Sequence, residues 1–148
     1  MISKKRKKVF IIAEIGPNHN GSVSTAIKMV DELSNSGVDC VKFQLGNPIK
    51  VYSKNAFMAN YQKKNDKNKN IFKMAQKLQL TLKEHQEVSN YCKKKKLIYA
   101  CTAFDLESLK FLDKQLKVPF FKIASGEVFS LDMIHYISKR NKPVLLST

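Results

Sequence analysis

Five apolar runs, at residues 9–13, 40–44, 97–101, 120–124 and 143–147, carry a polar side chain at or just past their C-terminal ends. The polar positions are Glu14, Lys42 with Gln44, Thr102, Lys122 with Ser125, and Ser147. If the runs are strands, side-chain alternation puts Cys40, Lys42 and Gln44 on one face and Val41 and Phe43 on the other. Phe120 and Lys122 likewise share a face, opposite Phe121 and Ile123. An ammonium turned inward there is costly by several kcal/mol unless an anion or carboxylate partners it. Two such lysines, with Thr102, Ser125 and Ser147 as hydroxyl donors, form a cradle suited to a small phosphorylated carboxylate. Phe43 and Phe120 are expected to wall the cradle and keep its dielectric low. Glu14, at the start of the loop Pro17-Asn18-His19-Asn20-Gly21, sets a carboxylate beside it. The alternative is that each lysine lies at an exposed edge and snorkels into water on its aliphatic stem.

Other chemistry is thinly represented. His85 and His135 fall in helical segments and read as surface or boundary residues, and neither has a second ligand one turn on. His19, in the loop that follows Glu14, is a single histidine, so spacing provides no metal site. Cys40, Cys92 and Cys101 are odd in number and widely spaced, with no metal or redox pattern. Cys40 and Cys101 lie in apolar runs and read as small core residues in a reducing cytoplasm.

The elements that must hold these residues alternate in type. Between the apolar runs, Val23, Ala26, Ile27, Val30 and Leu33 follow helical spacing, and Gly37 supplies a left-handed stop. Thr81 and Glu84 form a capping box for a helix that ends among Lys93, Lys94, Lys95 and Lys96, cations suited to a helix C-terminus. Asp105 can cap a helix bearing Leu106, Leu109, Leu112 and Leu116, and Leu131, Ile134 and Ile137 mark another. A long connection from Leu45 to Leu80 contains a short helix near residues 71–78 and a Lys/Asn-rich middle expected to be mobile. The order β-α-β-α-β-α-β-α-β implies parallel strands with right-handed crossovers. No Gly-x-Gly-x-x-Gly loop follows the first run, which disfavours a dinucleotide site. Polar residues at strand C-termini are where barrel enzymes keep their chemistry.

The chain has 148 residues, 43% of them hydrophobic, enough for one domain with its own core. No apolar stretch reaches the ~18 residues of a membrane span, and the basic segment Lys4-Lys5-Arg6-Lys7-Lys8 is not followed by a secretory core. The net charge of +15 suggests nucleic acid, but of the 27 basic residues only Arg6 and Arg140 are arginine. Groove and phosphate recognition lean on the bidentate guanidinium, so the lysines read as solvated faces. No nucleic-acid or membrane partner is expected.

The segments FIIAEIGPNHNGS, GVDCVKFQ, CTAFDLESLKFL, FFKIASGE and KPVLLST occur in this order between Phe10 and Thr148. In order and spacing they resemble the N-terminal half of the sialic acid synthases, a family that includes the N-acetylneuraminate, legionaminate and pseudaminate synthases. The segments AEIGPNHN and NAFMANYQ look closer to the neuraminate and legionaminate branch. The resemblance implies an α/β fold, a partial TIM (β/α)8 barrel of about four β/α units plus a fifth strand over residues 1–148. Eight strands take ~250 residues, so the remaining barrel and a C-terminal antifreeze-like domain are expected to be absent from this chain.

The same resemblance implies a transferase that condenses phosphoenolpyruvate with an N-acetylated hexose such as N-acetylmannosamine, forming a nonulosonic acid and releasing phosphate. Lys42, Thr102, Lys122, Ser125 and Ser147 would bind phosphoenolpyruvate. Glu14 would act at the reacting end of the sugar, and Asn18 and His19 would shape the loop on that side. A divalent metal, typically Mn2+, is implied with histidine ligands beyond residue 148 and none in this chain. A homodimer is implied for the full-length protein, and this chain alone is expected to bind phosphoenolpyruvate weakly and to lack turnover. Two other readings stand beside this one: another phosphoenolpyruvate–aldose condensing barrel, and a non-catalytic basic module for anions or nucleic acid.

Overall fold

The computed structural model describes residues 9–53 and 70–148. The basic segment at residues 4–8, the Lys/Asn-rich stretch at 63–69 and the NAFMANYQ segment lie outside the described residues. The chain builds one five-stranded sheet from β1 (Ile12–Glu14), β2 (Cys40–Leu45), β3 (Ile98–Ala103), β4 (Phe121–Ile123) and β5 (Val144–Leu146). Every pairing is parallel and the strands lie in sequential order, as the alternation of elements predicts. The helices are α1 (Val23–Ser34), α2 (Pro48–Val51), α3 (Ile71–Leu78), α4 (Leu82–Lys94), α5 (Leu106–Lys114) and α6 (Leu131–Ser138). The result is a section of a β/α barrel.

Strand alternation divides the apolar residues into two layers. Val41, Phe43, Tyr99, Cys101, Phe121 and Ile123 face the helices and bury Ala26, Val30, Val88, Leu109, Leu112 and Ile137. Cys40, Ala100 and Phe120 face the other way, with Phe10, Ile12, Ile98 and Leu145 packed around them. All three cysteines are buried free thiols, and burial pushes Cys40, Cys92 and Cys101 up to about 12. They are core residues with no thiolate chemistry at neutral pH.

Local signals largely place the helix ends. The Thr81 hydroxyl accepts from the Glu84 N–H at 3.3 Å, and the Glu84 carboxylate accepts from the Thr81 N–H at 2.7 Å, completing the capping box. Asp105 caps α5 through the Ser108 N–H at 2.9 Å and is tied back to the end of β2 by the Asn47 N–H at 2.8 Å. Helix α1 stops at Ser34, before Gly37; that glycine, at φ +82°, instead turns the chain toward β2.

Three expectations need correction. His85 is completely buried and not a boundary residue. It faces the sheet because α4 packs on Phe43 and Tyr99, and its Nδ1 lies 2.7 Å from the Tyr99 hydroxyl. Phe43 does not wall the lysine face: it packs in the helix-side core, stacked on Tyr99. Only Phe120 shares the inner layer. Leu131, counted as part of the α6 apolar stripe, is 74% exposed, and Met133 and Ile137 are the residues that α6 buries.

Candidate active site

Three parallel strands bring the two lysines together. In register, Glu14 lies beside Lys42 on β1 and β2, Gln44 beside Thr102 on β2 and β3, and Thr102 beside Lys122 on β3 and β4. Thr102 therefore sits between the strands that carry the two cations. The Lys42 ammonium donates to Thr102 Oγ1 at 3.3 Å and forms an ion pair with Glu14. Gln44 Nε2 donates to the other oxygen of the same carboxylate at 3.5 Å. The Lys122 ammonium donates to Ser147 Oγ at 2.5 Å and to the Ile123 carbonyl at 2.6 Å.

The two cations differ in how they are neutralised. Lys42 keeps only 13% of its side-chain surface and has Glu14 for a counterion. Lys122 has neutral acceptors and, among the described residues, no carboxylate within ion-pair range. Burial lowers the Lys122 pKa below the ordinary lysine value, and the charge of Lys42 lowers it further, with the Glu14 carboxylate opposing in part. An ammonium held this way is poised for an anionic ligand, since an arriving anion would relieve both effects.

The loop after β1 is fixed by backbone bonds to that cradle. The N–H groups of Ile15 and Gly16 both donate to the Lys42 carbonyl, at 2.9 and 3.1 Å. At Gly16, φ is +53°, and an added Cβ would stand 3.3 Å from both Glu14 Oε1 and Gln44 Nε2, so glycine lets the loop turn over them. Asn18 is exposed, and its N–H closes the turn onto the Ile15 carbonyl at 3.1 Å. His19 points inward: it is 2% exposed, its ring lies 6.0 Å from that of Phe43, and its Nδ1 accepts the Gly21 N–H at 3.1 Å. Burial lowers its pKa, which keeps the ring neutral with the proton on Nε2. Ser125 is exposed in a 3-10 turn (Ser125–Glu127) beyond β4 and makes no hydrogen bond to the cradle among the described residues.

Of the predicted residues, then, Glu14, Lys42, Thr102, Lys122 and Ser147 converge in one connected rim. His19 is buried, whereas Asn18 and Ser125 are exposed. Gln44 was legible as a strand end but not as the partner of Glu14, because that contact needs the β1–β2 register. No group of three or more His, Cys, Asp or Glu is placed to hold a metal ion among the described residues.

Residues 29–148 match the model of the NeuB family. The chain belongs to the NeuB family. Its relatives include an N,N'-diacetyllegionaminic acid synthase of Campylobacter jejuni, 42% identical over 96% of this chain and 42% of that protein. An N-acetylneuraminate-9-phosphate synthase of Drosophila melanogaster is 33% identical over 95% of this chain and 37% of its own length. Among solved structures, a sialic acid synthetase of Leptospira borgpetersenii in complex with citrate superposes with a TM-score of 0.76 at 26% identity, over 95% of this chain and 44% of that one. This NeuB family chain thus spans less than half the length of the relatives it matches. No helix among its described residues is long and apolar enough to cross a membrane.

Proposed function

We propose that this chain provides the phosphoenolpyruvate-binding side of a site that condenses phosphoenolpyruvate with an N-acetylated hexose, N-acetylmannosamine or a related sugar. One observation carries the reading: Lys122 is a partly buried ammonium aimed into the same rim as Lys42, with hydroxyl and carbonyl acceptors and, among the described residues, no carboxylate within ion-pair range. A structural lysine would be neutralised or would reach water. One held among neutral acceptors next to a second cation awaits an anion. Family membership and the synthase relatives support the choice of that anion.

In the proposed reaction the C3 carbon of phosphoenolpyruvate forms a bond to the aldehyde carbon of the open-chain sugar. Water adds at C2, and the C2–O bond to phosphate breaks, so phosphate leaves and a nonulosonic acid remains. Lys42, Lys122, Thr102, Ser147 and Ser125 would offset the carboxylate and phosphate charge. When phosphoenolpyruvate takes over Lys42, the Glu14 carboxylate is freed from its ion pair. It then stands beside the aldehyde, where it can hold or move a proton as the sugar oxygen gains charge. A metal such as Mn2+ would take its ligands from elsewhere in the active protein, which we propose to be a homodimer. The three buried free cysteines support the cytoplasm as its setting.

The test is a calorimetric titration of this chain with phosphoenolpyruvate, with pyruvate and inorganic phosphate as controls. Phosphoenolpyruvate should bind better than either, because only it spans both ammoniums. Equal, weak and strongly salt-dependent binding of all three would leave a non-specific basic surface.

A further inference from the structure

A neutral lysine amine has two N–H groups and one lone pair. At Lys122 two acceptors stand within reach of the nitrogen, Ser147 Oγ at 2.5 Å and the Ile123 carbonyl at 2.6 Å. Bonds to both use the two N–H groups and leave the lone pair free, on the side away from the acceptors. The ammonium form in the same place has a third N–H and, among the described residues, no protein acceptor for it. The surroundings of Lys122 therefore satisfy an amine more completely than an ammonium.

Electrostatics act in the same direction. An ordinary lysine, with a pKa of about 10.4, offers almost no amine at neutral pH. Burial and the Lys42 charge lower the Lys122 pKa, with Glu14 opposing in part, which raises the share of amine. Desolvation beside a second cation is one of the arrangements that make a lysine a nucleophile toward carbonyl carbon. Lys42, ion-paired with Glu14 and bonded to Thr102 Oγ1 at 3.3 Å, serves instead as a fixed positive charge. Thr102 lies on β3, between the strands that carry the two lysines. A carboxylate bound at Lys42 and Thr102 thus directs the carbon next to it toward Lys122.

We propose that Lys122 is a carbonyl-reactive amine that forms a reversible imine with small 2-oxo acids such as pyruvate, whose carboxylate is held by Lys42 and Thr102. The inference goes beyond the condensation reading and does not depend on it. The Lys122 nitrogen forms a bond to C2 of the 2-oxo acid, and one amine proton passes to the carbonyl oxygen with the Ser147 hydroxyl as relay. The C2–O bond then breaks as water leaves with the second amine proton, and a C=N bond remains. Nothing is oxidised or reduced. The adduct takes up the nitrogen that otherwise donates to an anion, so a 2-oxo acid blocks the cradle covalently and reversibly.

The experiment is reductive trapping. This chain is incubated at neutral pH with pyruvate and sodium cyanoborohydride, which reduces an imine to a stable secondary amine, and the modified lysines are located by peptide mass spectrometry. Acetone, the same methyl ketone without the carboxylate, is the control. With pyruvate, Lys122 should be modified about 10-fold or more faster than any other lysine, and with acetone that preference should vanish, because Lys42 concentrates only the acid. Lys122→Arg keeps the charge and should lose the fast modification, and Lys42→Met should slow it. Peptide mapping of the unsubstituted chain is the independent reading should either variant fail to fold. Modification spread evenly over the exposed lysines, none at Lys122, or an equal preference with acetone would overturn the proposal. Fast modification of Lys122 that phosphoenolpyruvate does not suppress would sustain the imine and count against the condensation reading.

Discussion

Lys122 donates across the β4–β5 pair to Ser147 Oγ at 2.5 Å, so the fifth strand closes on this cation with a hydroxyl and not with an acid. Lys42, two strands away, has Glu14 instead. That asymmetry makes Lys122 the cation most changed by an arriving anion.

Lys122→Met keeps the aliphatic stem and removes the charge. Losing one charge-assisted contact is worth roughly 1.5–3 kcal/mol, so phosphoenolpyruvate affinity should fall about 10- to 150-fold. Lys94→Met, on the exposed last turn of α4, should change almost nothing. Calorimetric titration of both variants checks this, and unchanged affinity in Lys122→Met would return the strand-end lysines to a snorkelling role.

His85 gives the fold a defined acid sensitivity. Burial lowers its pKa from 6.5 to about 4, with His19 nearby lowering it further and Glu84 opposing. A histidine depressed in the folded state contributes stability that is fully present above 6.5 and lost as pH falls toward 4. The full linkage is about 3 kcal/mol at most. Urea midpoints measured across this window should drop in the native chain, and His85→Asn should flatten that portion of the curve.

Gly21→Ala should be felt at the site without touching it. The new methyl would collide with the Lys77 carbonyl at a backbone φ of +74°. A strained left-handed position of this kind costs about 1–3 kcal/mol, more if the contact cannot relax. Denaturation should show the loss in stability, and amide NMR shifts should concentrate in the loop at residues 16–22 and in α3. Gly37→Ala, also at positive φ but with nothing within 4 Å of an added Cβ, should be milder.

Asp113 pins α5 to α6 and to the approach to β5. It accepts from the Tyr136 hydroxyl at 2.8 Å, Arg140 Nε at 3.0 Å and Lys142 Nζ at 2.7 Å. Burial pushes its pKa up, but the bonds from Lys142 and Tyr136 outweigh this and hold the carboxyl below the usual range. Asp113→Ala should cost roughly 1–3 kcal/mol in denaturant unfolding, since three donors lose one acceptor. Phosphoenolpyruvate binding in the folded fraction should be unaffected.

Among the described residues the sheet ends on β1 and β5, where Ile11, Val144 and Leu146 are 46%, 42% and 55% exposed. Unpaired edges with apolar side chains invite edge-to-edge pairing. Light scattering of this chain should show association that grows with concentration, and Val144→Lys should suppress it. A concentration-independent monomer would contradict the idea.

The sequence by itself determined the element order and the polar residue at each strand end. Both follow from local physics, since period-two and helical spacing, the Thr81–Glu84 capping box and the Asp105 cap are all short-range. Alternation also separated Lys42 from Val41, and Lys122 from Phe121, correctly. Tertiary structure decided what the residues meet. That His85 is buried against Tyr99 depends on how α4 rolls onto β2 and β3, which no helical period specifies. Phe43 was placed beside the lysines although alternation already turned it away. The Gln44–Glu14 contact and the shared position of Thr102 both require the register of strands distant in sequence. Register is a property of the packed sheet, and the sequence carries it only through contacts that form once the sheet exists.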